Sequence, residues 1–239
     1  IQNATVAKVA PVMIIAMAIF AIAFVVILLT NIPEPHMETA EEKAARLAGT
    51  AVKDPHGPLS FRHFLLGAIA IFFYVGIEVG IPNTANVFYS GIDWVGPALA
   101  GTMIGGYWLC MLIGRLFGAS FGAKISSKNM LLWTSLVAIL FLVCVIFIPE
   151  TAKVTLFGKT LPLGLVFILL CGLCTSIMWG AIFNLAVEGL GKYTAPASGI
   201  FMALVCGGGI IPFFQNLLAD HVGSLQSYWL RIACLAFFG

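Results

Sequence analysis

Glu78 stands near the middle of a long apolar stretch, 15 residues after His63 and 11 before Tyr89. Across the six full apolar segments of the chain it is the only acid near mid-depth. An ionisable group at bilayer depth is costly and usually faces a cavity or a partner. Tyr74 precedes it by four residues and shares its helical face. Pro82, four residues later, has no N–H for the Glu78 carbonyl, so the helix is expected to bend or unwind there. Gly76 and Gly80 allow close packing, and Asn83 and Asn86 follow at once. A carboxyl, a phenol and two amides beside an interrupted helix can hold a polar solute by hydrogen bonds, as midplane carrier sites do. The same carboxyl could instead be tied, protonated, to one neighbouring helix.

A second cluster spans Thr175 to Asn184. Gly180, Asn184 and Glu188 recur at i+4 spacing, with Glu188 near the end of the segment and read as interfacial. Trp179 lies deeper; an indole near amides can stack on the apolar face of a sugar ring while the amides bond its hydroxyls, or it can simply pack. Asn184 is a helix–helix hydrogen bond unless its helix faces a cavity. Further on, Gly207, Gly208, Gly209 and Pro212 inside one apolar segment suggest a hinge or a tight contact. No Gly-Lys-Ser/Thr follows them, so a phosphate loop is excluded. Gly114 and Gly118 make a Gly-x-x-x-Gly pair, and Arg115 between them is read as capping carbonyls or pairing an acid at the membrane interface, a gate or structural role rather than a ligand contact. Cys171-x-x-Cys174 has no histidine near it in sequence and reads as packing, not as a metal or redox site.

The elements that carry these residues are apolar runs: about Ala4 to Thr30, His63 to Tyr89, Trp94 to Gly118, Met130 to Pro149, Leu161 to Val187 and Pro196 to Ala219, with a shorter piece from Gln226. They are continuous rather than alternating, which predicts helices and no strands. The polar stretch 31–62 holds five acids and four bases, with a short surface helix expected over Met37 to Leu47. Lys43, Arg46, Lys53, Arg62, Arg115, Lys124, Lys128 and Lys192 fall on one face, and Lys8, Lys153 and Lys159 on the other, which predicts that the first face is cytoplasmic.

Composition agrees. Of 239 residues, 61% are hydrophobic and 9% charged, where a soluble domain carries about 25% charged residues. A soluble enzyme, a disordered chain and a nucleic-acid binder with a basic face are excluded. A net charge of +2 is too small to imply an acidic partner. An intramembrane enzyme would need a nucleophile–base pair or a metal set at depth, and no histidine lies mid-bilayer. The class is an all-α polytopic membrane protein. The run from Gln226 to Gly239 would rise roughly 21 Å as a helix, short of a hydrocarbon core of roughly 30 Å, and the chain begins on Ile1, so it is expected to be a fragment.

The patterns Phe73-Tyr74-Val75-Gly76-x-Glu78, Gly114-Arg115-x-x-Gly118, Ile182-Phe183-x-Leu185-Ala186 with Gly189-Leu190-Gly191, Gly207-Gly208-Gly209-Ile210-x-Pro212 and Leu218-Ala219-Asp220-x-x-Gly223 resemble a major facilitator superfamily transporter. More narrowly, they are similar to the fucose–galactose–glucose:proton symporter family. The resemblance implies twelve helices in two six-helix halves. Residues 1–30 would be helix six, 31–62 the cytoplasmic linker between bundles, and 63–239 the C-terminal bundle of helices seven to twelve, the last incomplete. It implies proton-driven uptake of a glucose-, galactose- or fucose-type monosaccharide by alternating access, in a bacterial cytoplasmic (inner) membrane. No cofactor is implied; the partners are the sugar, the proton, membrane lipid and the N-terminal half of the same chain, without nucleic acid. Glu78, Tyr74, Asn83, Asn86, Trp179 and Asn184 would line the sugar site. Pro82, Arg115, Gly118, Gly207, Gly208, Gly209 and Pro212 would shape or gate it. The chain departs from the pattern after Trp179, where relatives carry Pro then Thr and this sequence has Gly180 and Ala181. The acids that carry the coupling proton in the family belong to the N-terminal half, so no proton step is assigned to Glu78. The alternative is a facilitator or exporter of another small polar solute.

Overall fold

A computed structural model describes residues 2–30, 57–121, 125–156 and 158–238. The chain forms two compact units. The first contains helix α1 (Gln2–Leu29), whose large apolar side chains from Val12 to Leu29 are exposed and whose stretch Ala10–Leu29 is long enough to cross a bilayer. The expected surface helix over 37–47 lies outside the described residues.

The second unit begins with a 3-10 turn, Pro58–Ser60, and runs through α2 (Arg62–Ser90), α3 (Gly96–Phe121), α4 (Ser127–Phe147), α5 (Leu163–Val187), α6 (Thr194–Ala203), α7 (Gly207–Val222) and α8 (Tyr228–Ala236). In lipid every backbone N–H and C=O must find a partner, and a helix supplies nearly all of them within its own segment, so these continuous apolar runs become helices. Ends are set by local chemistry: the Ser126 hydroxyl accepts from the Asn129 N–H at 3.4 Å to start α4, and Gly96 opens α3 at φ +67°. No strand is expected from the sequence, yet β1 (Lys153–Leu156) and β2 (Lys159–Pro162) pair antiparallel in the α4–α5 connection, turning at Gly158 with φ +75°. Strands of four residues are too short for their alternation to stand out beside runs of bilayer length.

Helix α2 is the axis of this unit: 67% of its apolar window is buried, against 17% for Gly96–Gly118. It meets α3, α5, α7 and α8, and α4 closes on α5 and α8. Glycines let the backbones approach, as small residues do between membrane helices. A Cβ on Gly67 would meet the Ala186 Cβ at 2.5 Å, one on Gly76 the Ile211 Cβ at 2.6 Å, and one on Gly208 the Val75 Cγ1 at 2.8 Å. On Gly207 it would strike the Phe72 carbonyl oxygen. Backbone cannot yield as a side chain can, so Gly207→Val is expected to cost about 1–3 kcal/mol and lower the melting temperature in detergent. Gly209→Ala, whose Cβ would meet nothing within 4 Å, should leave it unchanged.

In both proline-bearing segments, where the sequence leaves a hinge or a tight contact and a bend or an unwinding as alternatives, the helix runs on through the proline. The segment Pro196 to Ala219 is not interrupted at its glycines or at Pro212; the break is the 3-10 turn Leu204–Cys206 just before them, and α7 continues through the buried Pro212. Helix α2 does not unwind at Pro82 but stays α-helical from Arg62 to Ser90. The Glu78 carbonyl that Pro82 cannot serve accepts from the Tyr107 hydroxyl at 3.2 Å, which replaces the lost helical bond.

Candidate functional site

A cavity of about 620 Å³ opens between four helices of the second unit. Helix α2 gives it Glu78, α3 gives Arg115 and Gly118, and α4 gives Ser127 and Met130. Helix α5 supplies one wall with Ser176, Ile177, Trp179, Gly180, Ala181 and Asn184. Glu78 is 7% exposed, and its Oε1 accepts from Arg115 Nη2 at 3.0 Å. The Arg115 side chain is 53% exposed, so the pair has one dry member and one wet member. At 1.5 Å per residue, Glu78 lies about 18 Å along α2 from its Ser90 end and Arg115 about 28 Å along α3 from the adjoining Gly96 end. Arg115 therefore reaches back toward the middle of the bundle, in the direction helical side chains lean, toward the start of their own helix. Nη2 also lies 3.5 Å from the Met111 sulfur.

Behind the cavity wall, two fully buried tyrosines lock α2, α3 and α5 together. Tyr74 donates to the Thr175 carbonyl at 3.0 Å, and the Tyr107 and Thr175 hydroxyls meet at 3.1 Å. Because Tyr107 also holds the Glu78 carbonyl, one phenol fixes both the turn that carries the carboxylate and the α5 turn opposite it. Trp179 is held edge-on by Tyr74 and by Phe201, each with centroids 6.0 Å away, and Phe201 in turn meets Phe183 at 5.2 Å. A Cβ on Gly180 would meet nothing within 4 Å, so the wall beside the indole is open space. Opposite it, Gly114 and Gly118 press α3 onto α5, where added Cβ atoms would strike the Ser176 hydroxyl and, at 2.8 Å, Ile177 Cγ1. The site thus offers an anion, a cation, an amide and an aromatic face around one water-sized-to-sugar-sized hollow in an apolar bundle.

A model of the Major Facilitator Superfamily matches residues 6–212, most of the chain. The chain belongs to the major facilitator superfamily. It is 32% identical over 189 residues to a glucose/galactose transporter of Brucella abortus, covering 75% of this chain and 42% of that protein. A putative glucose/galactose transporter of Helicobacter pylori is 27% identical over 228 residues, covering 94% of this chain and 51% of the relative. The L-fucose-proton symporter of Escherichia coli is 24% identical over 167 residues, covering 70% and 36%. The chain spans about half the length of the curated relatives it matches or less. Its fold matches the crystal structure of the superfamily transporter FucP in the outward conformation, with a TM-score of 0.72 at 22% identity, over 98% of this chain and 53% of that one.

The chain is a multi-pass membrane protein, and in its second unit α6, the 3-10 turn and α7 together make one span. The structure brings Glu78, Trp179, Asn184 and Gly118 to one cavity. Arg115 joins them, although the sequence reading placed it at the membrane interface and outside the ligand set; its reach along α3 is the reason. Tyr74 is not a lining residue, because its hydroxyl is spent on Thr175 and its ring lies behind Trp179. Asn83 is exposed and Asn86, which accepts from Ser90 Oγ at 3.5 Å, is half-buried; neither lines the cavity. Gly207 and Gly208 serve the α2–α7 contact, and Pro212 is buried within α7. Ser127, Met130 and the supporting Tyr107 were not singled out from the sequence. All six cysteines are free, and among the described residues no group of three or more His, Cys, Asp or Glu could hold a metal.

Proposed function

We propose that this chain is the C-terminal half of a monosaccharide uptake transporter, coupled to the proton gradient and working by alternating access against an N-terminal six-helix half. The observation that carries the reading is the cavity at the Glu78–Arg115 pair, with Trp179 and Asn184 on the facing wall. Its volume falls in the range of about 300–1,000 Å³ typical of small-molecule sites. A polyol suits this chemistry. Its hydroxyls donate to the carboxylate and accept from the guanidinium and the amide, while the apolar face of the ring lies on the indole. The relatives named glucose/galactose transporters point to glucose and galactose as substrates, and the fucose–proton symporter points to proton coupling. Glu78 takes the sugar contact; the coupling acids belong to the other half. Asn83, with Val79 and Val87, sits on the exposed stripe of α2, where it would face that half and its share of the sugar. The host membrane is the bacterial cytoplasmic membrane, with the end of the bundle carrying Arg62 and Lys128 inside.

The test is uptake of labelled glucose by cells carrying the full-length transporter, with unlabelled glucose, galactose and fucose as competitors, with and without a protonophore. Accumulation against a gradient, competed by glucose and galactose and abolished by the protonophore, is expected. Equilibration without accumulation, insensitive to the protonophore, identifies a facilitator instead, and failure of any sugar to compete removes the sugar reading.

A further inference from the structure

Arg231 is fully buried in α8, within the apolar run Tyr228 to Leu235. Among the described residues it makes no ion pair. Its Nε donates to Gln215 Oε1 on α7 and its Nη1 to the Gly76 carbonyl on α2. Its Nη2 has no acceptor; it lies over Gly80, where an added Cβ would collide with it. Gln215 is itself buried and passes the linkage on, donating to Ser227 Oγ at 3.1 Å, which donates to the Ser224 carbonyl at 2.6 Å. A cation in lipid without a counter-charge is expensive, and an aliphatic side chain would pack here at lower cost. What an aliphatic residue cannot do is hold a main-chain carbonyl of α2.

That carbonyl belongs to the turn that matters. Gly76 and Gly80 lie on one face of α2, and Glu78, two residues from each, lies on the opposite face. Pro82 has removed one helical bond from this turn. Donors from neighbouring helices now grip it from outside: Arg231 at Gly76, Tyr107 at Glu78, and Tyr228 at Ile81 with 2.8 Å. We propose that Arg231 is a positioning residue for Glu78: seated in the Gly76–Gly80 notch, its guanidinium fixes the proline-loosened turn of α2 from behind, so that the carboxylate on the far face meets Arg115 and the cavity. Its effect on sugar rests on the transport reading; the geometric part does not.

The experiment uses the full-length transporter in detergent and has two arms. In the first, a double-mutant cycle of Glu78→Gln and Arg115→Gln on melting temperature measures the coupling of that pair, with Arg231 present and in the Arg231→Lys and Arg231→Met backgrounds. The coupling is expected in the wild type, reduced with Lys, which keeps a cation and one donor, and absent with Met. Lys serves also as the folded variant should Met not fold, and Gly80→Ala, which pushes the guanidinium out of its notch, should mimic it. In the second arm, Arg231→Lys is expected to weaken binding of labelled galactose about fivefold, and to add little in the Glu78→Gln background, as coupled sites do. A lower melting temperature with the Glu78–Arg115 coupling intact and galactose affinity unchanged would show a purely structural arginine and overturn the proposal. Additive losses with Glu78→Gln would overturn it as well. If the wild type binds no sugar, the transport reading fails, and the stability cycle still decides the positioning role.

Discussion

Glu78→Gln is expected to weaken monosaccharide binding by about 1.5–3 kcal/mol, the scale of a hydrogen bond to a charged group, or roughly ten- to a hundredfold in Kd. The amide keeps the side chain's volume and removes the anion that receives sugar hydroxyls and holds Arg115 at 3.0 Å. Stability should fall by no more than the pair itself contributes. Arg115 is more than half exposed, so it can turn into the wet cavity, and a partly solvated pair contributes about 0–1 kcal/mol. Equilibrium binding and a melting curve on one preparation separate the two roles of the carboxylate. If its role were only to tie α2 to α3, the melting temperature would fall and the affinity would stay.

Trp179→Ala should have an effect of similar size, about 1–3 kcal/mol in binding, the scale of burying one large apolar side chain. The indole is pre-set by two edge contacts, to Tyr74 and Phe201, so little ordering is needed when a ring stacks on it. Trp179→Phe keeps an aromatic face and should retain most of the affinity. Intact sugar affinity in the alanine variant, together with a lower melting temperature, would place Trp179 in packing between α2, α5 and α6 and remove the stacking surface from the site.

The spans were legible because lipid leaves the backbone no alternative. The run His63 to Tyr89 became α2 over Arg62–Ser90, and Leu161 to Val187 became α5 over Leu163–Val187. Glu78 was legible for a related reason: a carboxyl at that depth needs a partner or a cavity, and it has both. Its partner was not legible. Arg115 is 37 residues away in sequence, and depth counted from the segment end ignores how far and in which direction a guanidinium reaches. Asn83 shows the converse, since nearness in sequence is not a shared face; five residues turn a helix by about 140° beyond one full circle. At Pro82 the sequence displays the lost bond but not the Tyr107 hydroxyl that replaces it. Arg231 carries a readable signal, an arginine inside an apolar run, but its partners Gln215 and Gly76 lie 16 and 155 residues away in sequence.

The claim that sugar occupies this cavity is tested most directly at Gly180, which faces open space between Trp179 and Asn184 and so accepts a cysteine without displacing a neighbour. With the exposed native Cys206 replaced by Ser, the rate at which a maleimide labels Gly180→Cys in the full-length transporter reports whether the hollow is filled. Saturating glucose or galactose is expected to slow labelling several-fold. An unchanged rate in a preparation that still binds the sugar with wild-type affinity would place the substrate elsewhere.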